Sequence, residues 1–93
     1  LNRNYDLKPE GEKPELFIGG LPDSVTIEEL KEHFSYFGIV CHIKVIRRKK
    51  IGFVIMLKSQ DAQNAITGLN GIEFHGKRIV VERALRKKNK SKV

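Results

Sequence analysis

The sequence predicts an α+β sandwich: a four-stranded antiparallel sheet carrying two helices on one face, in the order β-α-β-β-α-β. Three observations predict it. Apolar residues alternate in four short runs, and they recur at three- and four-residue spacing in two further runs. Gly, Pro and Ser breaks separate the runs in that order. The 93 residues make one domain. It is read as residues 15–84, between a leader over 1–14, expected to be flexible, and a basic tail over 85–93.

Each element has its own signal. From Glu15 to Gly19, Leu16 and Ile18 alternate with Phe17 and Gly19, and Gly20-Leu21-Pro22-Asp23 breaks the run. Thr26 opens a helix with a capping box completed by Glu29. Ile27, Leu30, Phe34 and Phe37 then form one apolar stripe, with Gly38 as the expected stop. Val40 to Arg47 reads as a second strand, with Cys41, Ile43 and Val45 facing one way and His42, Lys44 and Ile46 the other. A tight basic turn leads to a third strand, Ile51 to Leu57. Ser59 is the expected cap of a second helix, whose Ala62, Ala65, Ile66 and Leu69 share a face. An extended piece at Phe74 and a His75-Gly76 turn precede a fourth strand, Arg78 to Ala84. The right-handed crossover rule puts both helices on one side of the sheet, a ferredoxin-like arrangement, and leaves the other side open.

Charge and cysteine usage narrow the function. The net charge is +7, and it is clumped. Arg47, Arg48, Lys49 and Lys50 form one clump; Arg83, Arg86, Lys87, Lys88, Lys90 and Lys92 form another, so the rest of the chain sums to −3. Two clumps suggest a polyanion held on one side of the molecule. Cys41 is the single cysteine, which rules out an intramolecular disulfide and a thiol-built zinc site. No apolar run is long enough to span a bilayer, and none resembles a signal peptide, so no membrane partner is expected.

The two faces of the strands sort the residues further. Leu16, Ile18, Ile43, Val45, Val54, Met56, Ile79 and Val81 form an all-apolar set that builds the core. The opposite set is Phe17, Ile51, Phe53, Ile55 and Val80, with His42, Lys44 and Glu82. A solvated sheet face is ordinarily polar. This one carries two phenylalanines among basic residues, which is what single-stranded nucleic acid needs: rings for bases to stack on, and cations for the phosphates.

Motifs at these positions make the domain similar to the RNA recognition motif over Glu15 to Ala84. Leu16-Phe17-Ile18-Gly19-Gly20-Leu21 resembles the family's RNP2 hexamer, with Gly20 where Asn is usual. Lys49-Lys50-Ile51-Gly52-Phe53-Val54-Ile55-Met56 aligns with its RNP1 octamer. Leu69-Asn70-Gly71 and Gly76-Lys77-Arg78-Ile79 resemble the family's passage from second helix to fourth strand. The resemblance implies that Phe17 and Phe53 stack bases. The departures are Ile51 in place of an aromatic, Lys50 in place of Gly, and Met56 in place of an aromatic. Two of three platform aromatics remain, so RNA binding is expected to be weaker or less selective than on a full platform.

The expected ligand is single-stranded RNA, with single-stranded DNA accepted in vitro. The site residues are Phe17, Phe53, Ile51, Ile55, His42 and Lys44 on the sheet, with Arg47, Arg48, Lys49, Lys50, Arg83, Arg86, Lys87 and Lys88 around it. No cofactor, metal or small-molecule substrate is expected. The loop after the first strand lacks the arginine of a phosphatase of this topology and the Cys-x-x-Cys of a metal chaperone. His33, His42 and His75 lack ligand spacing, and no Ser-His-Asp or paired-carboxylate set is apparent, so no catalysis is expected. The rival reading is a protein-interaction module, using either the aliphatic part of the open face or acidic Glu28, Glu29 and Glu32. The tail resembles a nuclear-import run, which suggests a nuclear module of a larger RNA-processing or mRNA-regulating protein; a cytoplasmic setting is the alternative.

Overall fold

A computed structural model of the protein describes residues 13–84. Their elements are β1 (Glu15–Gly19), α1 (Ile27–Ser35), β2 (Val40–Ile46), a 3-10 turn (Arg47–Lys49), β3 (Ile51–Met56), α2 (Ser59–Leu69), β4 (Glu73–Phe74), β5 (Lys77–Arg78) and β6 (Val80–Arg83). The sheet has the order β2-β3-β1-β6 with every neighbouring pair antiparallel, while β4 and β5 form a separate hairpin. This is the predicted ferredoxin-like α+β sandwich.

The predicted core face holds. Leu16, Ile18, Val54, Met56, Ile79 and Val81 are buried against Leu30 and Phe34 of α1 and Ala62, Ala65 and Leu69 of α2. Ile43 and Val45, on an edge strand, are half-buried. Leu21, Val25 and Phe74 also enter the core from loops and from the hairpin, where strand and helix periodicity has nothing to say.

The capping box on α1 is present. The Glu29 amide donates to Thr26 Oγ1 at 3.1 Å and the Thr26 amide donates to Glu29 Oε1 at 2.9 Å. Four local expectations need correction. The first concerns the end of α1, which closes at Ser35, ahead of Gly38. Gly38 instead lets the chain pass against the Asp61 side chain of α2, where a Cβ would collide. The second concerns Ser59, which is the first helical residue of α2, not its cap; Lys58 holds the cap position without a side-chain bond. The third concerns β2. A bulge between Val40 and His42 sets Val40 opposite Met56 on the core side and His42 opposite Ile55 on the open side. Cys41 is the extra residue and is exposed, so it does not share a face with Ile43 and Val45. The fourth is that the last strand is not continuous. The Ile79 amide donates to Ile72 O (3.0 Å) and its carbonyl accepts from the Gly71 amide (2.8 Å), which draws the residue out of the ladder and separates β5 from β6.

Candidate nucleic-acid interface

Strand register lays out the open face as rows. In the central row Lys44, Phe53, Phe17 and Glu82 stand side by side across β2, β3, β1 and β6. One row on is His42, Ile55 and Glu15; on the other side is Ile46, Ile51, Gly19 and Val80. The Phe17 and Phe53 ring centroids are 5.8 Å apart at 62°, an edge-to-face pair at the centre of the sheet. Both residues are half-buried, so ring surface remains open to solvent. Gly19 is part of this geometry: a Cβ there would stand 3.1 Å from Phe17 Cε2, so the missing side chain is what lets the Phe17 ring lie over the strand. Ile51 and Ile55 are half-buried beside the rings, and Val80 is exposed.

The basic turn divides into two kinds of cation. The Arg47 guanidinium donates to the Val25 and Asp23 carbonyls at 2.9 and 3.1 Å, and the Lys50 ammonium meets Asp23 Oδ1 at 2.8 Å. That hydrogen bond, reinforced by the Lys50 charge, holds the Asp23 carboxyl below the usual carboxylate range. These two side chains tie the turn to the loop between β1 and α1. Arg48 and Lys49 are exposed and have no hydrogen bond or ion pair among the described residues. His42 and Lys44 are exposed on the open face itself.

Arg83 borders the open-face depression beside Phe17, Phe53 and Glu82, but its guanidinium turns to the helix side. Its partner across the ladder is Leu16, a core residue, and its guanidinium donates to Ser59 O and Oγ at 3.2 and 3.4 Å on the helix side. These bonds link β6 to α2. Arg86, Lys87 and Lys88 lie outside the described residues.

The structure also assembles a set that sequence spacing did not reveal. His75, at the tip of the β4–β5 hairpin, faces Ser24 Oγ through Nδ1 at 2.6 Å and Glu29 Oε2 through Nε2 at 2.9 Å. The Nε2–H tautomer satisfies both contacts, donating to Glu29 and accepting from the hydroxyl. The other Glu29 oxygen closes the capping box, so the set buckles the hairpin to the start of α1. The His75 bond first, and the Thr26 amide second, hold the Glu29 carboxyl below its ordinary range. His75 and Gly76 both have positive φ (50° and 85°), as a type I′ hairpin turn requires; the sequence marked that turn but not the partners it brings to His75. Among the described residues no group of three or more His, Cys, Asp or Glu side chains is placed to hold a metal ion. No described helix is long and apolar enough to cross a membrane.

A sandwich with one sheet face that no described element covers, centred on an aromatic pair and rimmed by cations, is the architecture of a nucleic-acid-binding domain. The RNA recognition motif profile matches residues 16–80, and the chain belongs to that family. It is 39% identical over 64 residues to polyadenylate-binding protein RBP45A of Arabidopsis thaliana, covering 69% of this chain and 16% of that protein. An uncharacterized RNA-binding protein of Schizosaccharomyces pombe is 32% identical over 87 residues, covering 84% of this chain and 29% of the relative. The chain thus spans less than a third of these relatives' length. Among solved structures, the Sxl-lethal protein in complex with RNA superposes with a TM-score of 0.71 at 27% identity, covering 83% of this chain and 53% of that one. The Caenorhabditis elegans NONO-1 homodimer superposes with a TM-score of 0.73 at 31% identity, covering 76% and 28%. Family membership and RNA-binding relatives together support RNA binding.

Proposed function

We propose that the open sheet face binds single-stranded RNA, with successive bases stacked on Phe17 and Phe53 and the backbone held by surrounding cations. The observation that carries this reading is the aromatic pair, 5.8 Å apart and partly solvent-facing at the centre of the open face. Lys44 and His42 flank it on β2, and Arg48 and Lys49 extend from the turn without an internal partner among the described residues. Stacking on a protein ring contributes ~1–3 kcal/mol per base. The domain itself does no chemistry; it acts as the RNA-binding module of a larger nuclear RNA-processing or mRNA-regulating protein.

The deciding experiment is the double substitution Phe17→Ala, Phe53→Ala. Titrated against short single-stranded RNAs, it loses ~2–5 kcal/mol of binding while keeping its fold, because neither ring belongs to the buried core. A folded double variant with the original affinity removes the stacking mechanism. The aliphatic row Ile46, Ile51 and Val80 favours a second reading, in which that side of the sheet contacts protein. Val80 is 46% exposed, more than a β-branched strand residue ordinarily leaves open.

A further inference from the structure

We infer that Glu82 makes the Phe17 stacking position selective for guanine. This rests on the open-face reading above and adds to it the identity of one base.

Glu82 on β6 is directly opposite Phe17 on β1, and both project from the open face. Opposed residues in an antiparallel pair hold their Cβ atoms ~4.5–5.5 Å apart, so the carboxylate reaches the edge of whatever stacks on the ring. Glu82, Phe17, Phe53, Arg83 and Ala84 border one shallow depression of about 550 Å³. The carboxylate is exposed and has no hydrogen bond or ion pair among the described residues. Among the described residues no cation pairs with it. Arg83, the next residue, sends its guanidinium to Ser59. Lys44 closes the far end of the same row, three strand spacings or roughly 14 Å away.

An unpaired carboxylate on the RNA-facing side of a chain with net charge +7, with Glu15 one row away, opposes the phosphates. It suits a ligand group that brings hydrogen-bond donors. Single-stranded RNA presents its Watson–Crick edges, and a carboxylate only accepts. Guanine offers two adjacent donors there, N1–H and the N2 amine, which match the two oxygens of a carboxylate. Adenine and cytosine each offer one amine beside a ring nitrogen acceptor, and uracil offers one N–H between two carbonyls. Those acceptors meet the carboxylate lone pairs head on, so the same side chain attracts guanine and disfavours the rest.

The test uses the full chain and fluorescently labelled octauridylate, with one central position kept as U or replaced by G, inosine, A or C. Titrated by anisotropy at one salt concentration, the G oligomer binds about tenfold tighter than the U, A and C oligomers. Inosine, which lacks the N2 amine, falls between them. Glu82→Gln brings the G-to-A ratio close to one. Two results overturn the inference while leaving the RNA platform standing: wild-type affinities that agree within about twofold for all five oligomers but drop for Phe17→Ala, or a guanine preference that survives Glu82→Gln. Affinities untouched by Phe17→Ala, Phe53→Ala overturn the platform itself, and this inference falls with it.

Discussion

Arg47 and Arg48 are adjacent and equally charged, yet their surroundings assign them different work. Arg47 donates to two loop carbonyls, whereas Arg48 is exposed without a partner among the described residues. Hydrogen bonds from a charged donor contribute ~1.5–3 kcal/mol each at best, and less where water competes. Arg47→Ala should therefore lower unfolding stability by ~1–2 kcal/mol in a urea titration. Arg48→Ala should leave stability unchanged and flatten the salt dependence of RNA binding by about one phosphate contact. Lys50 carries a different constraint: its φ of 57° is left-handed, which explains why glycine suits this RNP1 position. Lys50→Gly relieves a conformation that costs roughly 1–2 kcal/mol but loses a solvent-screened ion pair with Asp23, so stability should hold or rise slightly. Ile51 offers the converse experiment. Tyrosine there restores a third ring beside Phe53, and tighter RNA binding by ~1–3 kcal/mol is expected if the row serves bases. Unchanged RNA affinity together with a disturbed protein contact would assign the row to a partner.

Helix α1 depends on its first turn more than on its length. Thr26→Ala removes the acceptor for the Glu29 amide, a loss of about 1 kcal/mol. The acid response follows from the same turn. The folded-state pKa of Glu29 lies below its ordinary value, so its contribution is complete above the ordinary glutamate range and fades as pH falls through the lowered value. His75→Ala removes the largest cause of that shift, so the variant should lose less stability than the parent on acidification, as urea midpoints at successive pH values would record. The capping box was legible because Thr and Glu three residues apart carry it locally. The alternating faces of β1 and β3 were legible too, since burial on one side imposes a period of two. The Cys41 bulge, the break at Ile79 and the turning of Arg83 toward Ser59 were not. Each depends on a partner outside the strand itself, Met56, Ile72 and α2 respectively, and periodicity within a strand carries no information about such partners. The central row of the site follows from face assignment alone, but its order from Lys44 to Glu82 needed the register.

At the scale of the whole molecule, charge and stacking are separable, and the two parts of the surface predict different salt behaviour. The first turn of α1 carries Glu28 and Glu29, on the helix-bearing side of the sheet, while the open face has Lys44 and His42 beside Glu15 and Glu82, with Arg48 and Lys49 at its end. Arg86, Lys87, Lys88, Lys90 and Lys92 add five positive charges beyond the last described strand. When such residues bind a single strand they release counterions, with a slope of log K against log salt of about −0.7 per phosphate neutralised. Replacing those five residues with glutamine should therefore weaken every RNA alike and flatten the slope by ~0.7 for each phosphate no longer neutralised. The Phe17→Ala, Phe53→Ala variant should do the opposite: affinity falls at all salt concentrations while the slope stays, because stacking releases few ions. Measuring both variants from low to physiological salt separates the contributions. A glutamine-tail variant with an unchanged slope and an altered preference among bases would mean that the tail reads sequence, and that the sheet is only part of the reading surface.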